Sequence, residues 1–152
     1  MNFTTLTALT RRIQGAYGSL CGPLCRKYGL SRTSFDILMF LHNNPEHCTA
    51  RQISQMRNLR PNVVSQHVDR LVRDGYLQRQ EMEGDRRKIR LLCTRLSEPV
   101  CREGSLLQKQ FYAGLTEQLT AQDLQGVRHC FQVIADNAEK LALTVGTEEN
   151  KC

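Results

Sequence analysis

The stretch from residue 49 to residue 94 most constrains the fold, because it predicts two short helices and a hairpin with almost no linker between them. Thr49 and Gln52 have the spacing of a capping box, in which each side chain bonds to the other residue's backbone N–H. A helix should therefore occupy residues 50–56. Its buried side chains are expected to be Ile53 and Met56.

A second helix is expected over residues 61–74. Pro61 suits its first turn, because the N–H that proline lacks has no partner there. Gly75 can take the left-handed conformation that ends a helix. Apolar residues spaced by four and three would form the buried stripe: Val64, Val68 and Leu71. Two short helices joined by a tight turn are the helix-turn-helix arrangement.

A hairpin follows the second helix. Residues 76–80 are expected to form a strand, residues 83–85 a turn, and residues 88–94 a second strand with alternating side chains. The tip is basic, so the hairpin is interpreted as a wing. The expected fold is mainly α with a small β-hairpin wing (α+β), in which a winged helix-turn-helix occupies residues 31–95.

Amphipathic helices flank this segment. Apolar residues recur every three or four positions over residues 4–20, and Gly22 and Pro23 should break that helix. Another helix is expected over residues 33–43.

Two further helices are expected after the hairpin. One spans residues 97–118, and Thr120 with Asp123 caps the next. That last helix has an unbroken heptad spacing of apolar residues: Leu124, Val127, Phe131, Ile134, Ala138, Leu141 and Val145. A small winged domain has limited surface on which to bury these helices. They are therefore expected to form a homodimer interface from residues 1–22 and 97–146.

All of the excess positive charge lies in one stretch. The net charge is +6, and residues 51–95 contain eleven Lys and Arg against five Asp and Glu, so the remainder is neutral. A basic stretch between neutral ones is typical of a surface that binds a polyanion. An ordinary solvated surface is the alternative, but it would not usually be so one-sided.

The second helix of the helix-turn-helix presents polar residues opposite its buried stripe. Asn62 and Gln66 can each make paired hydrogen bonds to adenine, and Ser65 can reach a base or a phosphate. The predicted DNA-binding residues are Arg51, Arg57, Arg60, Pro61, Asn62, Ser65, Gln66, Arg70, Arg86, Arg87 and Lys88. An arginine of the wing can enter a narrow minor groove, and the sequence leaves open which one. Asp85 is expected to pair with an arginine, for example Arg87 or Arg70.

The run Arg60-Pro-Asn-Val-Val-Ser-Gln-His-Val-Asp-Arg-Leu-Val-Arg-Asp-Gly-Tyr-Leu77 resembles the recognition helix of the MarR (multiple antibiotic resistance regulator) family. Asp85-Arg-Arg and the later Thr94 resemble the wing of that family, and the order of elements matches over essentially the whole chain. The resemblance implies a homodimer that binds pseudo-palindromic DNA and often represses transcription. Two features depart from the family. Met82-Glu83-Gly84 replaces the first half of the usual wing motif, and Arg60 stands where a serine usually opens the recognition helix.

The resemblance also implies a signal that releases DNA. In many relatives a small phenolic or lipophilic compound binds between the DNA-binding and dimerisation parts. Candidates for lining such a pocket are Tyr17, Phe40, Phe111 and Tyr112, although core packing explains them equally well.

Some relatives sense oxidants through a cysteine near the first helix. Cys21 and Cys25 lie near that position, and the adjacent Arg26 and Lys27 would favour a thiolate. Ordinary buried or idle thiols are the alternative interpretation, because Gly22-Pro23 between the two cysteines leaves their geometry open. The odd number of cysteines in the chain, seven, argues against a disulfide framework.

Other classes of function have little support in the sequence. There is no glycine-rich phosphate loop, nucleophile elbow or paired acidic motif, so no enzyme is expected. The His-Cys pairs at 47–48 and 129–130 lack a complete ligand spacing, so neither a metal nor another cofactor is expected. A winged-helix protein–protein adaptor is the alternative, but it would not need the concentrated charge. Without an apolar run of 18 residues or a signal-peptide layout, one cytoplasmic domain over residues 1–152 is expected.

Overall fold

A computed structural model describes residues 2–82 and 85–148, without the side chains of residues 3, 85–87 and 143–148. Six helices and one antiparallel hairpin follow in the order α1 (Phe3–Lys27), α2 (Arg32–Asn43), α3 (Ala50–Arg57), α4 (Pro61–Arg73), β1 (Leu77–Met82), β2 (Asp85–Cys93), a 3-10 turn (Arg95–Ser97), α5 (Glu98–Leu115) and α6 (Ala121–Glu148). The predicted class, mainly α with a small β-hairpin wing, is confirmed. The predicted turn at residues 83–85 falls partly outside the described residues.

The chain divides into two compact units, and the division falls inside α5, after Phe111. The first unit contains the hydrophobic core, to which α1 to α5 and both strands contribute. Its largest fully buried side chains are Phe35, Ile37, Leu38, Ile53, Leu71, Val64 and Val100. Met56 is 53% exposed, so the prediction that α3 buries both Ile53 and Met56 is wrong for Met56.

The tight turn of the helix-turn-helix is fixed by local hydrogen bonds. Thr49 and Gln52 make both bonds of the predicted capping box at the start of α3. Asn58 then takes a left-handed conformation, with a φ of 49°, and ends that helix. Ser54 Oγ donates to the carbonyl oxygen of Leu59 at 2.6 Å. The turn therefore leads directly to Pro61, which occupies the first position of α4 as predicted.

The hairpin is longer than the sequence predicts, because β1 continues to Met82 and β2 begins at Asp85. Its register runs from Leu77 opposite Cys93 to Glu81 opposite Ile89, and an irregularity follows at Met82. Gly75, with a φ of 82°, ends α4 as predicted and turns the chain into β1.

The prediction that Gly22 and Pro23 break the first helix is wrong, because α1 continues to Lys27 with Pro23 inside it. A proline inside a helix costs about 3 kcal/mol, since it removes a hydrogen bond and crowds the preceding turn. The turn beyond Gly22 nevertheless buries Leu24 and Cys25 in the core. Burying two such side chains yields a comparable stabilisation, about 1.5–3 kcal/mol for the leucine alone.

The helix α5 approaches α2 at Gly104, which is buried. A Cβ atom at this position would collide with Met39 Sδ and would lie 3.1 Å from Phe35 Cε2, and both side chains belong to the core. Only a glycine therefore allows this approach without a shift of the Met39 side chain.

The second unit contains α6, which begins with the predicted cap. Thr120 N donates to Asp123 Oδ2 at 2.9 Å, and Asp123 N donates to Thr120 Oγ1 at 3.2 Å. The hydrogen bonds from Thr120 lower the pKa of Asp123. Before this cap, α5 ends at Leu115 rather than at the predicted residue 118, and Gln118 has a φ of 70°.

Candidate nucleic-acid interface

The helix α4 has one buried face and one exposed face. Val64, Val68 and Leu71 are at most 2% exposed and pack in the core, which confirms the predicted stripe. The opposite face consists of exposed residues: Pro61, Asn62, Ser65, Gln66, Asp69 and Arg73. The structure therefore brings Asn62, Ser65 and Gln66 together on a helix face that is free of core contacts.

Exposed cations surround this face. Arg60 is the N-cap residue of α4, and Arg70 lies near the end of the same helix. Arg51 occupies the first turn of α3, and Arg57 its last turn. The guanidinium of Arg57 lies 3.9 Å from Asp36, so part of its charge is balanced within the protein.

A histidine on α4 connects this helix to the beginning of α2. His67 Nδ1 lies 3.0 Å from Ser34 Oγ and 3.3 Å from Ser31 Oγ, and Ser31 is the N-cap residue of α2. Burial, followed by the charge of Arg70, lowers the pKa of His67. The sequence did not single out His67, since its serine partners lie more than thirty residues earlier in the chain.

A second contact fixes the wing relative to α4. Asp69 forms an ion pair with Arg79 of β1. The acidic side chain on the exposed face of α4 is therefore paired within the protein. Neither Asp69 nor Arg79 is among the predicted DNA-binding residues, and no local sequence pattern indicates their pairing.

The second strand is also attached to the segment before α3. Leu91 N donates to the carbonyl oxygen of Cys48 at 2.7 Å, and Arg90 Nε donates to Cys48 Sγ at 3.4 Å. Arg51 and Lys88 line one cavity of about 620 Å³ beside this attachment. The side chains of Asp85, Arg86 and Arg87 lie outside the described residues, so the predicted pairing of Asp85 does too.

The two thiols proposed as oxidant sensors are buried. Cys21 is 0% exposed and Cys25 is 8% exposed, and this burial raises the pKa of each thiol. Lys27 instead forms an ion pair with Glu103 at 2.6 Å. The charge of Arg26 lowers the pKa of Cys25, as expected, but burial outweighs it, and a redox role for the two thiols stays a prediction.

Part of the aromatic set proposed for an effector pocket does line one cavity. Tyr17 and Phe40 contribute to a cavity of about 150 Å³, and the ring of Phe111 lies 5.2 Å from that of Tyr17. The Tyr17 hydroxyl accepts a hydrogen bond from Gln108 Nε2 at 2.9 Å, and burial raises the pKa of Tyr17 to about 12. Tyr112 is 59% exposed.

Two other features are absent from the described part of the chain. No three His, Cys, Asp or Glu side chains there come together as metal ligands would. None of its helices is both long and apolar enough to cross a membrane.

A helix-turn-helix with an exposed polar second helix, followed by an antiparallel hairpin, defines a winged-helix protein. Residues 28–88 match the model of the MarR family. This match confirms the resemblance to the MarR family that the recognition helix and the wing show.

Solved structures with this fold cover nearly the whole chain. A MarR transcriptional regulator from Methanosarcina mazei Go1 has a TM-score of 0.74 at 17% identity, covering 91% of this chain and 99% of that one. A MarR protein from Peptoclostridium difficile has a TM-score of 0.76 at 16% identity, with coverage of 95% and 94%. A mutant MarR from E. coli complexed with operator DNA has a TM-score of 0.65 at 17% identity, with coverage of 86% and 93%. No curated protein matches the sequence significantly.

Proposed function

We propose that this protein is a sequence-specific DNA-binding transcriptional regulator. The observation that carries the proposal is the exposed polar face of α4, where Asn62, Ser65 and Gln66 lie between the cations Arg60 and Arg70. Short polar side chains near the start of a helix in the major groove reach base edges, and the flanking cations contact phosphates. The E. coli MarR structure with operator DNA supports DNA as the partner.

The charge distribution supports the same partner. The net charge of +6 lies within residues 51–95, which include α3, α4 and the hairpin. In the proposed complex, Arg51 and Arg57 bind phosphates beside α4. The basic wing, with Arg86, Arg87 and Lys88, lies over the adjacent minor groove, where the negative potential is concentrated.

We further propose a homodimer formed by α1, α5 and α6. Many large apolar side chains on these helices are exposed in the single chain: Leu9, Leu20, Leu106, Tyr112, Leu115, Val127, Phe131, Ile134 and Leu141. An exposed apolar surface of this kind is typical of a protein–protein interface. A twofold dimer would bind a pseudo-palindromic operator with half-sites about one helical turn apart.

In this proposal the protein acts in the cytoplasm, mainly as a repressor, by occupying the operator. A small aromatic or lipophilic effector releases it, and the cavity beside Tyr17 and Phe40 is the proposed effector site. Tyr17 and Phe40 supply the aromatic surface of this site, and polar side chains such as Asn44 and Gln108 line the rest of it.

The experiment that tests this proposal is selection from a library of random DNA duplexes at two salt concentrations, followed by sequencing of the bound fraction. We expect enrichment of a palindrome, and an affinity that falls steeply with salt because phosphate contacts release counterions. If no sequence is enriched and duplex binding is negligible at low salt, the regulator is excluded and a protein–protein adaptor is favoured.

Variants of α4 then test the orientation of the interface on the selected operator. Asn62→Ala and Gln66→Ala should each weaken binding by about 1–3 kcal/mol and relax the preference at one base pair, because each removes a paired hydrogen bond. Arg60→Gln should reduce the salt slope by about one without changing the preferred sequence. The control Gln14→Ala lies on the exposed surface of α1, outside the basic stretch. If all four variants lose the same amount of affinity for the operator, the proposed contacts of α4 with DNA are contradicted.

A further inference from the structure

One of the cations proposed to bind DNA already has a partner within the protein. Arg57 lies in the last turn of α3, and its Nη2 atom is 3.9 Å from Asp36 Oδ2 on α2. The side chain of Arg57 is 44% exposed, whereas that of Asp36 is 19% exposed. A phosphate group can therefore reach Arg57 from solvent, but it must compete with a carboxylate of the protein itself.

Asp36 is held in place independently of Arg57. Its Oδ1 atom accepts a hydrogen bond at 2.9 Å from Nε of Arg32, one turn earlier on α2. The guanidinium of Arg32 lies over the ring of Tyr17 on α1, 4.5 Å from the ring centroid. The Tyr17 hydroxyl accepts a hydrogen bond from Gln108 on α5 at 2.9 Å. Contacts through three helices therefore fix the carboxylate, and its position does not depend on Arg57.

The contact between Asp36 and Arg57 is long but partly shielded from water. Both side chains line the cavity of about 150 Å³ beside Tyr17. An ion pair of this length and exposure adds little to the free energy of unfolding. The same small free energy is enough to change a binding constant severalfold, because affinity depends exponentially on it.

The other proposed phosphate-binding cations of α3 and α4 differ from Arg57 in this respect. No ion pair with another described side chain involves Arg51, Arg60 or Arg70. Arg57 is therefore the member of this set for which DNA and the protein compete.

We propose that Asp36 competes with DNA phosphate for Arg57 and thereby limits the affinity of the protein for its operator. This inference rests on the proposed function and adds to it a residue outside the basic stretch. When Arg57 turns to a phosphate, Asp36 retains only Arg32, so each binding event includes the loss of one ion pair. Asp36 acts through Arg57 and is thus a positioning residue rather than a DNA contact.

A double-mutant cycle on the full chain tests this competition. Affinities are measured on the operator obtained from the duplex library and on a duplex of random sequence. Asp36→Asn should tighten binding by about twofold to fivefold for each protomer, the range for a partly exposed ion pair. Arg57→Gln should weaken binding and lower the salt slope by about one for each protomer, since one phosphate contact is lost. In the Arg57→Gln chain, adding Asp36→Asn should have almost no further effect.

The control variant separates the competition from a general effect of charge. Glu103→Gln removes a carboxylate and its ion pair with Lys27 at 2.6 Å, outside the basic stretch. The loss of any negative charge raises the affinity for DNA slightly, and salt screens this effect over about 10 Å. If Asp36→Asn tightens binding no more than Glu103→Gln, or does so equally in the Arg57→Gln chain, the proposed competition is overturned.

The salt slope distinguishes this competition from a merely structural role of Asp36. A structural contact would change the urea midpoint of unfolding and leave the salt slope as it is. We expect Asp36→Asn to make the slope steeper, because Arg57 then pairs more fully with phosphate. Asp36→Glu keeps the charge and should restore most of the natural affinity and slope. A folded Asp36→Asn chain with an unchanged slope and affinity would refute the proposal.

The contact can also be measured without DNA and without a variant. NMR relaxation of the side-chain Nε–H groups in the natural chain should show that Arg57 is more restricted than Arg51. Equal mobility of the two side chains would refute the pairing on which the competition depends. A natural chain that binds neither duplex contradicts the proposed function and the competition together. Binding to the operator without coupling between the substitutions at 36 and 57 overturns the competition alone.

Discussion

His67 is the residue that links the proposed recognition helix to α2 through two serine hydroxyls. Because burial and the charge of Arg70 lower its pKa in the folded chain, the unfolded chain binds a proton more readily. The free energy of unfolding should therefore decrease as the pH falls below the unfolded value of about 6.5. Above that value the histidine is neutral in both states, and its contribution is fully present.

A substitution of His67 isolates its contribution to the pH dependence of the free energy of unfolding. His67→Asn keeps a polar group near the position of Nδ1 but cannot titrate. We expect urea unfolding at pH 7 and pH 5 to show a smaller pH dependence for this variant than for the natural chain. The exposed His129→Asn on α6 is the matched control. If the free energy of unfolding of His67→Asn depends on pH as strongly as that of the natural chain, the proposed role of His67 burial is refuted.

The contrast between Asn62 and His67 shows what the sequence can predict at the residue scale. The exposure of Asn62 and Gln66 follows from the spacing of the buried stripe on the same helix, which is local information. The partners of His67 and Arg79 belong to other elements, so no local pattern indicates them.

Thr94 is the side chain that closes the hairpin at the scale of elements. Its hydroxyl donates to the carbonyl oxygen of Gly75 at 2.6 Å and accepts from Leu96 N at 3.2 Å. These bonds join the end of α4 to the base of the wing and to the 3-10 turn before α5.

Thr94→Val should therefore destabilise the chain by about 1–3 kcal/mol, because it leaves part-buried backbone groups without their partner. Hydrogen exchange should show the largest increase at the paired amides of β1 and β2. Thr10→Val is the control, since its hydroxyl bonds only to the exposed Leu6 carbonyl oxygen and should change stability by less than about 0.5 kcal/mol. Equal destabilisation by the two variants would contradict the role given to Thr94.

The elements themselves were predictable where a local signal decides the structure. The capping pairs at Thr49 and Thr120 marked the starts of α3 and α6 correctly. The end of α1 predicted from Pro23 was wrong, because burying Leu24 and Cys25 in the core stabilises the helix by more than the proline destabilises it. Predicted helix ends are wrong where tertiary packing, rather than the nearest few residues, determines whether the helix continues.

At the scale of the whole molecule, the exposed apolar side chains of α6 lead to a prediction about assembly. Phe131 is 58% exposed in the single chain and lies in the heptad stripe. Phe131→Glu should weaken the proposed homodimer at least tenfold, because it places a charge in an apolar interface and removes an aromatic side chain. Sedimentation analysis over a range of protein concentrations measures the change.

The control for this variant lies on the same helix outside the stripe. Gln125→Glu introduces the same charge at an exposed position and should leave the dimer intact. A loss of the dimer with either variant, or with neither, would show that the stripe is not the interface. Where only Phe131→Glu dissociates the dimer, its affinity for a palindromic operator should also fall toward that for a single half-site.

Gly104 has a consequence for how this sequence can change over evolutionary time. Any side chain there would collide with Met39 Sδ and crowd Phe35, so a single nucleotide change at this codon meets a steric barrier. Gly15, Gly114 and Gly126 have open space where a Cβ would be placed, so selection acts on them far more weakly. A smaller residue at position 39 would remove the main clash and so make a later replacement of Gly104 easier. The contact between α2 and α5 thus imposes an order on the mutations by which this protein can diverge.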